Sequence, residues 1–415
     1  MTGCAFNAVL SGLRPVRRSR PSGGQPTLSF ARGVDVLRST EETSSSGGHD
    51  HKYTLLDGLR GVAASAVVLV HANDTIKLAP HAGEAVDFFY VLSGFVIAHA
   101  YGRRLADGNL KPTRFLLVRA VRLYPMIIFG TILGAMVILS RLALWRHHGG
   151  YFGPAIALIC GMLLVPLPPG ITDIPFSVSI FPYSLPAWSL FSEAVSNIVY
   201  STFNRWLTDA VKWLIVVASG VVLGVLIMKK GGGSFGGYWS ELFPGLLRVS
   251  YSFTVGVIIF QFSSQLKYRI IGNGYGIAAM MILLLACCFP VPYKSALNPF
   301  VDVFLALLFM PALVILSSRI VLGARMSQLC DLLGRISYPL YLVHWPIVMT
   351  ISLGIDKLGL HGPARVAAIV FQLCCAGAAG FLALVLYDEP VRRWLGARLL
   401  RRQPRQSVGD VLIRT

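Results

Sequence analysis

Charge is what this chain is short of. Only 13% of its 415 residues are Asp, Glu, Lys or Arg, about half the share usual in soluble domains. Acidic residues are the scarcer kind, 19 against 37 basic ones. A water-soluble fold needs a polar exterior, so this deficit, with 54% hydrophobic residues and a mean hydropathy of +0.64, points instead to a polytopic membrane protein. The formal net charge of +18 is spread through an apolar chain with no zinc-finger spacing and no basic region followed by heptads, so nucleic acid is not an expected partner. The seven cysteines (Cys4, Cys160, Cys287, Cys288, Cys330, Cys374, Cys375) include two adjacent pairs and no C-x2-C spacing. That excludes a disulfide framework or a cysteine metal site and leaves them as small hydrophobes.

What the chain does have is apolar runs. Crossing about 30 Å of hydrocarbon at 1.5 Å per residue takes about 20 residues, and eleven candidates lie near 55–73, 86–101, 121–140, 153–166, 188–206, 211–228, 246–262, 273–290, 300–317, 336–353 and 366–387. The run 153–166 is short and ends in Pro166, Leu167, Pro168, Pro169, Gly170; it reads as re-entrant. The expected fold is therefore all-α, an integral membrane bundle of ten transmembrane helices plus a re-entrant segment. Residues 1–52, rich in Ser, Gly, Pro and Arg, form a basic tail that cannot bury enough apolar surface to fold. Residues 396–415 form a second basic tail after the membrane domain, 53–395. Basic flanks at both ends place both termini in the cytoplasm. The segment 141–187 then lies outside, a candidate lid or acceptor surface.

Several polar residues sit where they are expensive. Ionisable groups at membrane depth cost roughly 2.5–3.5 kcal/mol or more each and tend to face a cavity or a partner. In LLDGLRGVAASAVVLVHAN, Arg60 and His71 are eleven residues apart, which returns them to within about 20° on a helix and separates them by about 16 Å along its axis. One helix thus carries a cation toward the cytoplasm and an imidazole toward the outside. Snorkelling for Arg60 and a helix-packing hydrogen bond for His71 are the structural alternatives. Asp87 opens the next span at the level where His71 leaves, where a carboxylate would orient the imidazole or simply face water. Ser93 and Gly94, midway along that span, are expected to let backbones approach closely. In RFLLVRAVRLYP, Arg119 and Arg122 share a helical face as phosphate forks or as lipid-headgroup anchors. LPAWSLFSEAVSNIVY places Glu193 beyond Trp188 in a stripe with Ser189, Ser192, Ser196 and Asn197, which reads as helix glue or as a functional carboxylate. GRISYPLYLVHWPIV carries Tyr338, Tyr341 and Trp345 as an aromatic stripe with His344 near mid-membrane, and YDEPVRRW pairs Asp388 and Glu389 with a run of arginines.

Arg60 with His71, FFYVLSGFVI, RAVRLYP, WSLFSE, GRISYPLYLVHWP and DEPVRRW, in that order, resemble the membrane acyltransferase-3 family, which O-acylates surface polysaccharides, Nod factors and some antibiotics. The resemblance covers residues 53–395; each motif is short, but six in register are specific. The family's R-x10-H pair falls on Arg60 and His71, its R-x-x-R pair on Arg119 and Arg122, and its tryptophan-serine-leucine-x-x-glutamate element on Trp188, Ser189, Leu190 and Glu193. Ala194 stands where many members carry a second glutamate. The resemblance implies an O-acyltransferase, O-acetyl by default, with acyl-CoA as donor substrate, no bound cofactor or metal, and a carbohydrate or other hydroxyl as acceptor. Arg60, Arg119 and Arg122 would hold the donor. His71 would act as general base or carry the acyl group briefly, with Asp87 or Glu193 holding its tautomer, and Trp188, Ser189, Tyr341 and His344 would contact substrate. A transporter or flippase of a lipid-linked glycan is the rival, since buried charge among many spans also describes a permeation path.

Overall fold

The computed structural model describes residues 53–72, 79–144, 150, 152–171, 179–233, 235–263, 269–289 and 295–400. The tail 1–52, residues 401–415 of the second tail, and residues 145–149, 151 and 172–178 of the expected lid lie outside that range.

The described chain is almost wholly helical: α1 (Thr54–Ala72), α2 (Ala82–Ala106), α3 (Pro112–Leu144), α4 (Phe152–Leu163), α5 (Ala187–Phe203), α6 (Asp209–Lys230), α7 (Trp239–Ser263), α8 (Asn273–Cys287), α9 (Asn298–Ser317), α10 (Ala324–Lys357) and α11 (Gly362–Leu399). A two-residue parallel bridge, Ile270–Ile271 with Ile320–Val321, is the one sheet among the described residues. Eight helices are long and apolar enough to cross a membrane; α4, at 12 residues, is the shortest of the apolar set. Large apolar side chains point outward on α6 (Trp213, Leu214, Val217, Val221) and α11 (Val370, Phe371, Leu382, Leu386), the reverse of a soluble exterior and the surface a bilayer covers. The protein is a multi-pass helical bundle.

Local signals set the helix ends. Thr208 caps α6, its Oγ1 accepting from the Val211 amide at 3.3 Å; Asp209 opens the helix, Lys229 and Lys230 close it, and Gly231 follows in the left-handed region at φ 80°, each the arrangement that satisfies or complements a helix terminus. Three π-turns, Ala98–Gly102, Leu305–Phe309 and Leu384–Asp388, interrupt α2, α9 and α11.

Small residues decide which helices touch. A Cβ on Gly61 of α1 would run into the backbone of Leu333, and one on Gly334 of α10 would meet Asp57. These two helices lie side by side and parallel, the 57–61 turn against 333–337 and His71 against His344. On α2, Gly94 abuts the Phe253 carbonyl, and Gly256 of α7 abuts that of Val91, the close backbone approach the sequence predicts for Gly94. Gly94→Ala or Gly256→Ala must push α2 and α7 apart at an overpacking cost of about 1–3 kcal/mol; thermal unfolding in detergent should show a lowered midpoint for either.

The segment after α3 folds back along it. Gly161 of α4 packs on Thr131, the Tyr183 hydroxyl donates to the Pro154 carbonyl at 3.1 Å, and the Tyr183 backbone lies against Gly134. Burial pushes the Tyr183 phenol up to about 12, so this hydrogen bond keeps its donor throughout the ordinary pH range.

Candidate active site

The Arg60 end of α1 is a charged cluster. Arg60 Nε donates to Ser337 Oγ at 2.9 Å, its Nη2 donates to the Gly334 carbonyl, and Asp57 stands 3.7 Å away. The guanidinium is thereby turned onto α10 rather than extended to headgroups. Arg119, 8% exposed, donates to Glu193 Oε1 at 2.5 Å, and the same oxygen accepts from Ser93 Oγ at 2.6 Å. Arg122 is exposed. Ser337, which holds Arg60, is followed by Tyr338, whose hydroxyl donates to the Leu123 carbonyl of α3 at 2.6 Å, and this contact brings the Arg119–Arg122 turn of α3 to the same end of the bundle as Arg60. The closing motif adds the ion pairs the sequence predicts, Asp388 with Arg392 at 2.7 Å and Glu389 with Arg393 at 3.8 Å, and Glu389 also takes Arg335 of α10, which the sequence did not indicate.

At the other end of α1, His71 meets two consecutive side chains of α10. Its ring stacks on His344 with centroids 5.4 Å apart and an interplanar angle of 26°, and meets Trp345 edge-on at 5.3 Å. His344 is wholly buried and its Nδ1 lies 3.2 Å from the Leu340 carbonyl. A carbonyl only accepts, so the proton is on Nδ1 and Nε2 carries a lone pair. His344 Nε2 and the indole Nε1 of Trp345 are both buried without a protein hydrogen-bond partner. From His344 the polar chain runs to Tyr341, ring centroids 5.9 Å apart, then through the Tyr341 hydroxyl to Ser189 Oγ at 2.7 Å, while Tyr90 donates to the Ser189 carbonyl at 3.3 Å. His71, His344, Tyr341 and Ser189 thus form one row across α1, α10 and α5.

Two expectations need correction. Asp87 does not serve His71: its Oδ2 accepts from Arg248 Nη2 at 2.6 Å, and its Oδ1 accepts from Arg248 Nε at 3.3 Å and Ser252 Oγ at 3.2 Å. Glu193 is likewise committed, to Arg119 and Ser93. Asp87, buried, and Glu193, partly buried, have each taken a guanidinium, the partner that best offsets a carboxylate's desolvation. Among the described residues, the rings of His344 and Trp345 lie against His71.

Sequence reasoning missed the assembly around Arg248. This arginine, 1% exposed, also donates to the Glu84 carboxylate and to the carbonyls of Gly83 and Phe235, and lies 5.8 Å from the Trp188 ring. Next to it, His81 Nδ1 is 2.6 Å from Asp302 Oδ1, and Asp302 Oδ2 accepts from the Gly233 amide at 2.8 Å. The signal was present in LLRVSYSFTVG, an arginine inside an apolar run, the same mark that picks out Arg60.

The clusters around Arg60, His71 and Arg248 lie within residues 53–388, which match the family model described as an acyltransferase domain. The chain belongs to the acyltransferase-3 family. As an acyltransferase of this family it is an enzyme, and with its lipid-facing helices a membrane-embedded one. It is 37% identical over 188 residues to the "Protein 2 in picA locus" of Rhizobium radiobacter, covering 42% of this chain and 94% of that protein. It is 25% identical over 322 residues to the exopolysaccharide production protein ExoZ of Rhizobium meliloti, covering 74% of this chain and 89% of that one. No solved structure matches. The family's R-x10-H pair marks the two ends of one helix, and its R-x-x-R and tryptophan-serine-leucine-x-x-glutamate elements meet in the Arg119–Glu193 ion pair.

Proposed function

We propose that this acyltransferase moves an acyl group, acetyl by default, from cytoplasmic acyl-CoA to a hydroxyl of an extracytoplasmic or lipid-linked carbohydrate. It would sit in a bacterial inner membrane with both termini inside, so that the Arg60 end of α1 faces the cytoplasm. One observation carries this reading: the parallel pair α1 and α10 joins an arginine cluster at one end to paired histidines at the other. The exopolysaccharide role in the printed name of the ExoZ relative supports a carbohydrate acceptor.

Acyl-CoA is too anionic to enter lipid, so its phosphates dock on exposed Arg122 with Arg119 and Arg60 behind it. The pantetheine arm then runs along α1, and the thioester alone reaches His71. His71 takes the proton of the attacking hydroxyl, or carries the acyl group briefly as an acyl-imidazole. His344 Nε2, a buried lone pair, accepts from a neighbouring hydroxyl of the same acceptor and so orients the attacking one toward His71. Trp188, Ser189 and Tyr341 continue the acceptor side. Glu193 holds Arg119 in place, and Asp87 acts through Arg248 on the α2–α7 frame.

Arg122→Ala should raise the KM for acetyl-CoA about ten-fold, the worth of a charge-assisted hydrogen bond of about 1.5 kcal/mol, with kcat little changed; steady-state kinetics in proteoliposomes would show it. The function itself is tested by mass spectrometry of envelope glycans and extracellular polysaccharide from wild-type and deletion strains. An acyl ester increment lost on deletion supports the reading and names the acceptor. Glycan that is unmodified in both strains but fails to leave the cell in the deletion would replace it with transport.

A further inference from the structure

Acyl transfer develops negative charge on the thioester oxygen, and nothing above supplies a donor to it. Such a donor must be buried, aimed at the reacting centre and free in the resting protein. Among the described residues that touch the His71 ring, only His344 and Trp345 carry polar atoms buried without a protein partner. Their chemistry differs. His344 Nδ1 carries the proton toward the Leu340 carbonyl, so its Nε2 is an acceptor. The indole N–H of Trp345 is a donor only and keeps its proton at every working pH. Buried donors are almost always paired, because leaving one unpaired costs free energy. Here one unpaired donor and one unpaired acceptor stand on consecutive residues against the same imidazole.

Position 345 is also held firmly. Pro339 and Pro346 lie inside α10, Tyr338, about two turns below, donates to the Leu123 carbonyl at 2.6 Å, and the Tyr341 hydroxyl is tied to Ser189. A donor that must not reorganise during the reaction gains from such a frame.

We infer that the Trp345 indole N–H is an oxyanion donor of the acyl-transfer site, receiving the thioester carbonyl oxygen beside His71. This rests on the acyl-transfer function proposed above. In the step, the acceptor hydroxyl oxygen attacks the thioester carbonyl carbon. A C–O bond forms, the hydroxyl proton passes to the imidazole, and the carbonyl π pair moves to oxygen, where the indole N–H holds it. The oxyanion then reforms C=O, the C–S bond breaks, and the imidazolium returns the proton to sulfur, giving the ester and free thiol with no other reactant. Should the acyl group pass through His71 first, the same donor serves both tetrahedral species.

The test removes the N–H and keeps the ring. Trp345→Phe, and benzothienylalanine placed at 345 so that sulfur replaces N–H in an isosteric ring, are assayed in proteoliposomes with acetyl-CoA as donor and base-treated exopolysaccharide of the producing strain as acceptor. Both variants should lose about 10²–10³-fold in kcat, with KM for acetyl-CoA and the pH profile of kcat unchanged, since the base is untouched. If Trp345→Phe unfolds, the isosteric variant decides. Wild-type kcat in the benzothienylalanine protein, a loss confined to KM, or a shifted pH profile would each overturn the assignment, the last marking Trp345 as packing that positions His71. Wild-type protein that forms no ester in this assay would bring down the acyl-transfer reading itself; an active wild type with a fully active isosteric variant would bring down the oxyanion role alone.

Discussion

His71→Ala should lower acyl transfer by about 10²–10⁴-fold, the range a positioned general acid–base group supplies, and by more if the ring carries the acyl group. The protein should still assemble. His71 lies on the last turn of α1 and is only partly buried, whereas α1 is held to α10 nearer its other end by Gly61 and Gly334 and by the Arg60 bonds to Ser337 and Gly334. Losing the imidazole removes its contacts with the rings of His344 and Trp345, at a cost of about 1–2 kcal/mol. Glycan analysis of cells expressing His71→Ala at matched membrane levels separates the cases. Ester retained at above about a tenth of wild type would remove His71 from the chemistry, because a base contributes more than that. His344, stacked on His71, would then be the imidazole to replace next.

The second large effect is on stability. Arg248→Ala should destabilise the protein by about 3–5 kcal/mol, the penalty for breaking a buried ion pair and leaving its partner charged. Asp87 is 0% exposed and Glu84 2%, so neither carboxylate has water to fall back on, and the carbonyls of Gly83 and Phe235 lose their donor as well. Arg248→Lys should recover only part of this, since an ammonium cannot span both Asp87 oxygens with the planar fork of a guanidinium. Replacing Arg248, Asp87 and Glu84 together by Met, Leu and Leu should be milder than Arg248→Ala alone, because no uncompensated charge remains. Thermal unfolding in detergent across these variants measures the order. An Arg248→Ala protein as stable as wild type would mean that water reaches Asp87 and Glu84.

Depth along the bundle was legible in the amino-acid pattern, and direction around each helix was not. The eleven helices fall close to the eleven apolar runs, and the short run at 153–166 is the 12-residue helix Phe152–Leu163. Arg60 and His71 are at opposite ends of α1, as their spacing requires. Asp87, however, turns toward α7 and Arg248. Glu193 turns toward Arg119, which pairs two motifs that the linear reading kept apart as imidazole partner and phosphate dock. Trp345 carried ordinary aromatic-stripe spacing and His344 stood out as a mid-membrane imidazole, but nothing in GRISYPLYLVHWPIV says that both would flank His71.

The amino-acid pattern alone dictated the all-helical, lipid-facing class of this acyltransferase and the six motifs that mark its family, because hydrophobic length and residue spacing along one chain carry that information locally. Which carboxylate meets which guanidinium, and which rings enclose His71, was decided only when the helices packed. Each helix's rotation about its own axis depends on where every neighbour offers a glycine to approach or a charge to meet, and that balance exists nowhere in any one segment of the chain.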